Sequence, residues 1–352
     1  MGFWGWFKSR FSKKQTLGTK TQDKKIKNYN TPLKFGLALS GGGTRGIAYI
    51  GVFKALNEAG ISFDYIAGTS VGSLMGAAYS ANMSIEKMTQ VVKTLRVRDI
   101  KMNKIPYAPS KTDRLRAVIR EALDNKGFED LNKPFTAVAV DIISGEEKHL
   151  TGGSLDTAIA GSCAVPGVFY PVEFGSYRLF DGGLRNNIPA DVVREMGADI
   201  VISFDINPTR GYGTDSLKYL DVMKAALRIM MKANSVNGYV HSDYIVKIDL
   251  SQFNQTKLDD IDEMIKIGYE STIAELPNIL KVLGKVTPNE EIKKTAKKLK
   301  AIAREAKREA KKEAKKNKAL NNKSVKRSED LNAETEEQFQ EFINEQTDEK
   351  NS

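Results

Sequence analysis

An α/β fold is predicted for the stretch from Lys34 to about Leu250, on three observations. Short apolar runs alternate there with segments of helical period. No uninterrupted apolar stretch approaches the roughly 20 residues that cross a bilayer. The Ser144-Gly145 dipeptide is a turn signal between two strand-like runs, so a hairpin should make the central sheet mixed and not purely parallel. In chain order the predicted strands are Phe35–Leu39, Tyr65–Gly68, Phe135–Ile142, Lys148–Thr151, Arg178–Phe180, Ile200–Phe204 and Ile245–Ile248. The predicted helices are Arg45–Ala59, Val71–Ser80, Ile85–Leu95, Thr112–Leu123, Ala190–Met196, Leu217–Ala233 and Asp260–Leu280. Thr112-Asp113 and Asp259-Asp260 supply N-terminal caps, and their acidic side chains favour the helix dipole.

Both ends of the chain differ from this middle. Residues 1–31 read as a flexible arm that is polar and basic beyond an aromatic tip, ahead of a globular domain over 32–285. At the tip, Phe3, Trp4, Trp6, Phe7 and Phe11 stand beside Lys8, Arg10, Lys13 and Lys14. Such a mixture suits an interfacial anchor, in which rings settle at headgroup level and cations meet anionic lipid. A disordered tail, or a segment packed on the domain, fits equally well. Aromatic residues before basic ones reverse the order of a secretory signal, and Trp6 stands where a myristoylation motif at Gly2 wants Ser or Thr. Residues 286–327, rich in Ala, Lys, Glu and Arg with opposite charges three or four apart, predict a basic, solvated helix. The acidic, polar segment 328–352 reads as disordered.

A net charge of +10 among 352 residues favours anionic partners. The basic extension holds few aromatic residues, so it offers no stacking platform and nucleic acid is disfavoured. Cys163 is the only cysteine, which excludes an intramolecular disulfide and a cysteine-based zinc cluster. The expectation is a cytoplasmic protein with peripheral contact to an anionic membrane; oligomeric state is not set by the sequence.

Three motifs carry chemistry. The first, Leu39-Ser40-Gly41-Gly42-Gly43-Thr44-Arg45-Gly46, follows a strand and opens a helix. Its glycines allow several N–H groups to converge near a helix N-terminus, a nest for either a phosphate or the oxyanion of acyl transfer. The dinucleotide reading wants an acidic residue at the carboxyl end of the second strand. Asp64 precedes that strand and sits at the wrong end.

The second motif is Gly68-Thr69-Ser70-Val71-Gly72, with a strand entering and a small-residue helix leaving. This is the pattern of a nucleophile elbow, which holds a serine hydroxyl clear of its neighbours. Ser70 as a simple helix N-cap is the plainer alternative. The third, Leu179-Phe180-Asp181-Gly182-Gly183, ends an apolar strand with a carboxylate. It reads either as an ordinary Asp-Gly turn or as a base able to take the Ser70 proton.

Together and in this order, the three motifs resemble the patatin-like phospholipase family. The segment Gly161-Ser162-Cys163-Ala164-Val165-Pro166-Gly167-Val168-Phe169 is also similar to a family block. The similarity runs from about Phe35 to Asp205, with the chain to about Leu280 completing the domain. It implies a three-layer α/β/α sandwich and a dyad of Ser70 (nucleophile) and Asp181 (proton acceptor), without a catalytic histidine. It also implies an oxyanion hole formed by the Gly41, Gly42 and Gly43 amides with Arg45 nearby. Gly46, Gly68, Gly72, Gly182 and Gly183 are the remaining motif glycines. The implied activity is hydrolysis of a lipid or lipid-like ester through an acyl-enzyme, with no metal or other cofactor. The segment Val165–Val172 is expected to help wall an acyl groove.

Other candidates are weaker. A Ser70–Asp181–His241 triad has the right chain order, but Asp181 explains the base without it; His149 lies in a charged, exposed stretch. Cys163, among small apolar residues, reads as a structural thiol. Asp191, Asp199 and Asp205 show no metal-ligand spacing, although Asp205 could orient the floor of the site. Met223, Met230 and Met231 are expected in the core or lining a pocket. A lipid-binding or scaffolding module on the same fold, and a nucleotide site at the glycine loop, remain the alternative functions.

Overall fold

The computed structural model describes residues 32–94, 109–207, 219–253, 255, 258 and 260–284, with 301 and 308. The arm over 1–31, the acidic end over 328–352 and the rest of the basic extension lie outside the described residues. Among the described residues the strands are β1 (Phe35–Leu39), β2 (Tyr65–Thr69), β3 (Phe135–Asp141), β4 (Glu147–Leu150), β5 (Val172–Phe174), β6 (Tyr177–Asp181), β7 (Ile200–Asp205) and β8 (Tyr244–Lys247). The α-helices are α1 (Ala48–Glu58), α2 (Val71–Ser80), α3 (Ile85–Thr94), α4 (Asp113–Ala122), α5 (Leu155–Ser162), α6 (Ala190–Glu195), α7 (Tyr219–Ala233), α8 (Val236–His241) and α9 (Ile261–Gly284).

One sheet runs in the order β5-β6-β3-β2-β1-β7-β8, with β4 paired to β3 off that path. The pairs from β3 to β8 through β2, β1 and β7 are parallel. Those of β3 with β4 and β6, and of β5 with β6, are antiparallel. The sheet is therefore mixed, and Gly145 turns the expected β3–β4 hairpin.

Both faces of the central strands are apolar, and alternate residues go to different cores. Leu37, Leu39, Ile66, Ile202 and Phe204 pack with Tyr49, Ile50 and Phe53 of α1, Met75 of α2 and Met264, Ile273 and Leu276 of α9. Between them in sequence, Ala38, Ala67, Val138 and Val201 pack with Ala190, Val192 and Val193 of α6. Helices thus cover both faces, giving the three-layer α/β/α sandwich. Fully burying a Leu or Phe side chain stabilises the fold by about 1.5–3 kcal/mol, so the larger core dominates. α9 belongs to it, and Tyr269 Oη donates to Glu58 Oε2 at 2.7 Å, linking α9 to α1.

Three elements were not legible as such. Every residue of α5 is buried, so it shows no polar face and no helical period. β5 has three residues and α8 six, too few for a pattern. The helix expected from Arg45 opens instead with a 3-10 turn over Gly43–Ile47 before α1.

Candidate active site

β2 ends at Thr69, and Ser70 makes the turn into α2 with φ 54° and ψ −128°. A non-glycine residue held there costs about 1–3 kcal/mol and persists only when its surroundings over-determine it. They do. The Ser70 amide donates to Ser162 Oγ at 2.9 Å, and Ser162 Oγ donates to the Val138 carbonyl at 2.5 Å. The Ser70 carbonyl accepts from Ser73 Oγ at 2.7 Å, and Thr69 Oγ1 donates to the Asn186 carbonyl at 2.7 Å. At Gly72 a Cβ would stand 2.2 Å from the Leu39 carbonyl oxygen, so only glycine lets α2 start this close to β1. The conformation is that of a nucleophile elbow and not of an ordinary cap; no side-chain cap bond is made by Ser70.

Strand register brings Asp181 to this turn. β4 pairs with β3 over Ala137–Val140 and so occupies one edge of that strand. β2 pairs up to Thr69↔Val138, and β6 pairs from Asp181↔Ala139. A strand has only two edges, so β6 takes over the edge that β2 leaves. Asp181 therefore stands beside Ser70.

The Asp181 side chain is fully buried. Its Oδ1 accepts from the Gly183 amide at 2.9 Å, while Oδ2 has no hydrogen-bond partner. Burial pushes its pKa up to about 6, opposed by the Ser70 hydroxyl and the Gly183 amide. A carboxylate poised near neutrality beside a hydroxyl is suited to accept its proton.

The glycine loop crosses the same place. The Gly41 amide donates to the Asn187 carbonyl at 3.2 Å and the Thr44 amide to the Gln255 carbonyl at 3.0 Å. Gly43 has φ +61°, and a Cβ there would meet the Gln255 carbonyl oxygen at 2.4 Å, so glycine is required on both counts. Asn207 Nδ2 donates to the Gly41 carbonyl at 2.8 Å. The buried Tyr49 hydroxyl bonds the Ser40 and Phe204 carbonyls at 2.9 and 3.2 Å. Among the described residues, none accepts a hydrogen bond from the Gly42 or Gly43 amide. Of the expected oxyanion donors, Gly41 is thus already engaged, while Gly42 and Gly43 are not. Arg45 is buried and its guanidinium donates to the Phe253 carbonyl through Nε at 3.0 Å and Nη2 at 2.7 Å. Those bonds tie the loop to the segment after β8. Of the other motif glycines, Gly46 abuts Val71, Gly68 the first turn of α2, Gly182 the Val138 carbonyl, and Gly183 the Met231 Cε.

Neither histidine is bonded to the pair. His149 lies between Glu147 and Glu195, and the Glu147 carboxylate raises its pKa against the effect of burial. The His241 ring bonds the Asn237 carbonyl. Burial and the Asp181 charge push the Cys163 thiol up, and the Ser73 and Ser70 hydroxyls act against that. Asp205 is buried and accepts from the Asn207 amide, Lys232 Nζ and Tyr239 Oη, joining β7 to the loop, α7 and α8. Asp191 accepts from Asn186 Nδ2, and Asp199 from the Lys34 amide. Among the described residues no group of three or more His, Cys, Asp or Glu side chains is arranged to hold a metal.

One expectation is corrected. Met223 and Met230 are 49% and 57% exposed, so they are not in the core. Met231 alone of the three reaches the site, over Gly183. In the expected groove wall, Phe169 is buried but Tyr170 is 51% exposed. The sequence pattern assigns no role to Asn187, Ser162, Tyr49 or Asn207. The Asn186-Asn187 pair, four residues past Gly182 and just before Ile188-Pro189, is the signal that could have marked the first of them.

Residues 37–194 match the family model described as patatin-like phospholipase. An uncharacterized NTE family protein of Mycobacterium tuberculosis is 32% identical over 187 residues, covering 52% of this chain and 51% of that protein. Patatin-like phospholipase domain-containing protein 7 of Rattus norvegicus is 33% identical over 183 residues, covering 48% of this chain and 13% of that protein. The chain spans about half of the mycobacterial relative's length and a smaller share of the rat protein's. The crystal structure of VipD from Legionella pneumophila has a TM-score of 0.50 at 16% identity, covering 78% of this chain and 75% of that one, a likeness of fold. No helix among the described residues is long and apolar enough to cross a membrane. The matched segment runs from β1 into α6 and holds both Ser70 and Asp181, so residues 37–194 of this chain form a patatin-like phospholipase domain.

Proposed function

We propose that the protein hydrolyses lipid esters with Ser70 as nucleophile and Asp181 as its base. The observation that carries this reading is the buried Asp181 carboxylate, one oxygen unpartnered, beside a serine held at φ 54°. Asp181 accepts the Ser70 proton as the hydroxyl attacks the ester carbonyl. The Gly42 and Gly43 amides receive the oxyanion, a contribution of about 3 kcal/mol per donor in comparable sites. Asp181 returns the proton to the departing alcohol, and water then releases the acid from Ser70. The dyad needs no histidine and no metal.

Contact with an anionic membrane belongs to the same reading. Val222, Met223, Ile229, Met230, Val236 and Val240 are exposed on α7 and α8, and α7 is the helix whose Met231 covers Gly183. Exposed apolar patches of this kind mark interaction surfaces. Flotation with phosphatidylglycerol vesicles should weaken in Ile229→Ser/Met230→Ser; unchanged flotation would remove the membrane contact from this reading.

A fluorophosphonate probe tests the chemistry. Labelling that is present in the native protein and absent in Ser70→Ala establishes an activated serine, and Asp181→Asn should slow it by about 100-fold or more. A folded protein that never labels, with or without vesicles, would reverse the assignment.

A further inference from the structure

A second buried oxygen near Ser70 lacks a hydrogen-bond donor. Asn187 is 2% exposed, and its Oδ1, like Asp181 Oδ2, has no partner. Its amide nitrogen is turned the other way, donating to Ser235 Oγ at 3.3 Å, which in turn donates to the Met231 carbonyl at 3.3 Å. That fixes Oδ1 toward the dyad. The point where a Cβ on Gly41 would stand is 2.8 Å from Asn187 Oδ1 and 3.1 Å from Ser70 Cβ. The corresponding point on Gly183 is 3.2 Å from Asn187 Oδ1 and 3.1 Å from Asp181 Oδ1. Asn187 Oδ1 therefore borders Ser70 across the Gly41 position, which carries no side chain, and lies on the same side of Gly183 as Asp181, where the Met231 Cε packs 2.2 Å from the Cβ point.

The other orphaned oxygens are differently placed. The Asn186 side chain is turned to Glu147 and Asp191 through its Nδ2, and Ser80 closes the far end of α2. Asn187 Oδ1 and Asp181 Oδ2 are the orphaned oxygens placed beside Ser70. A buried acceptor is costly to leave unpaired and asks for a donor. Two such acceptors on one reaction centre match a molecule with two O–H groups.

We propose that Asn187 Oδ1 and Asp181 Oδ2 together seat the water that deacylates Ser70, a role that rests on the hydrolase reading. In the acyl-enzyme, one water O–H points to Asn187 Oδ1 and the other to the ionised Asp181. The water oxygen attacks the acyl carbonyl and Asp181 takes its proton. The bond from the acyl carbon to Ser70 Oγ breaks, and the proton passes from Asp181 to Ser70 Oγ, leaving a free carboxylic acid and the starting serine. Asn187 does not take up a proton at any step. Attack by Ser70 on the ester needs only Asp181 and the amides, so the Asn187 acceptor is required in the second half-reaction alone.

Pre-steady-state kinetics of the full chain with p-nitrophenyl butyrate, read beside fluorophosphonate labelling, separates the two halves. In Asn187→Leu, labelling of Ser70 should stay within about threefold of native while steady-state turnover falls about tenfold or more, the loss of one hydrogen bond in a transition state. Intact-mass spectrometry should then find butyryl-Ser70 accumulating in the variant. Turnover at the native rate, or labelling and turnover falling in parallel, would overturn the proposal. Should the leucine disturb folding, the same two rates in Asn187→Ala decide the question by the same criteria. A native protein that neither labels nor releases p-nitrophenol defeats the hydrolase reading and the water seat together, whereas native activity with unaltered deacylation in the variants removes only the seat.

Discussion

The Ser70 amide donates to the Ser162 hydroxyl at 2.9 Å, so the serine at the elbow is held from the end of α5. Ser162 Oγ donates its own O–H to the Val138 carbonyl of β3, and the three residues form one buried chain of donors and acceptors. Ser162→Ala leaves a buried N–H and a buried carbonyl without that partner. The fold should lose about 1–3 kcal/mol, and fluorophosphonate labelling should slow as Ser70 drifts. Urea denaturation and labelling rates check both; a variant of native stability and reactivity would show that the elbow stands without this support.

Strain at Ser70 makes a separate prediction. Glycine adopts φ 54° and ψ −128° with less strain than serine or alanine. Ser70→Gly should be more stable than Ser70→Ala by about 1 kcal/mol, net of the greater chain entropy of glycine. Denaturant midpoints of the two inactive variants give the comparison, and equal midpoints would count against a strained elbow.

The shift at Asp181 has consequences for both activity and stability. The carboxyl, pushed up to about 6, is a base only when ionised, so kcat/KM should rise with unit slope to about pH 6 and level off above it. The unfolded chain titrates near 3.8, so the folded state binds this proton more tightly and stability falls as pH rises between the two values. Above about 6 the buried charge is fully opposed to folding. Asp181→Asn should therefore be more stable than the native protein at pH 8, by on the order of 1–3 kcal/mol, with the gain gone below about pH 4. Urea titrations at the two pH values test the sign.

Arg45 gives a prediction about the glycine loop. Its guanidinium donates twice to the Phe253 carbonyl, so Arg45→Met should cost about 2 kcal/mol and loosen the loop. Turnover should fall while Ser70 remains in place, and a kcat loss larger than any rise in KM would mark the loop as the part affected.

Cys163 should be inert. Its thiol is raised by burial and by Asp181, so little thiolate is present near neutrality. Incubation with iodoacetamide at pH 7.5 should leave the native protein unmodified, and Cys163→Ser should not abolish labelling of Ser70. Rapid alkylation would contradict this environment.

Much of the fold was legible because it rests on short-range patterns. Leu37, Ala38 and Leu39 are apolar on both faces, as a strand covered from two sides must be. Gly68 to Gly72 and Asp181 to Gly183 announce tight turns whatever the surroundings. What escaped was set by distant partners. α5 is buried on all sides and so has no amphipathic signature. Sequence periodicity shows that α7 has an apolar face but not whether another element covers it, which is why Met223 and Met230 were misplaced. The bonds of Arg45 and the orientation of Asn187 depend on residues far along the chain, with which no local spacing connects them.

Those distant bonds also set an order of events in synthesis. The glycine loop is fastened by Asn187, Phe253 and Gln255, all made well after Ser70. At ordinary translation speeds the interval between residues 70 and 255 lasts roughly 10–40 s. During it the nascent chain carries its serine with the loop still unanchored. The chemistry of the site is thus deferred to the last stage of domain assembly, and a chain that stops after the segment matched by the family retains both Ser70 and Asp181 but lacks part of the scaffold that would set them to work.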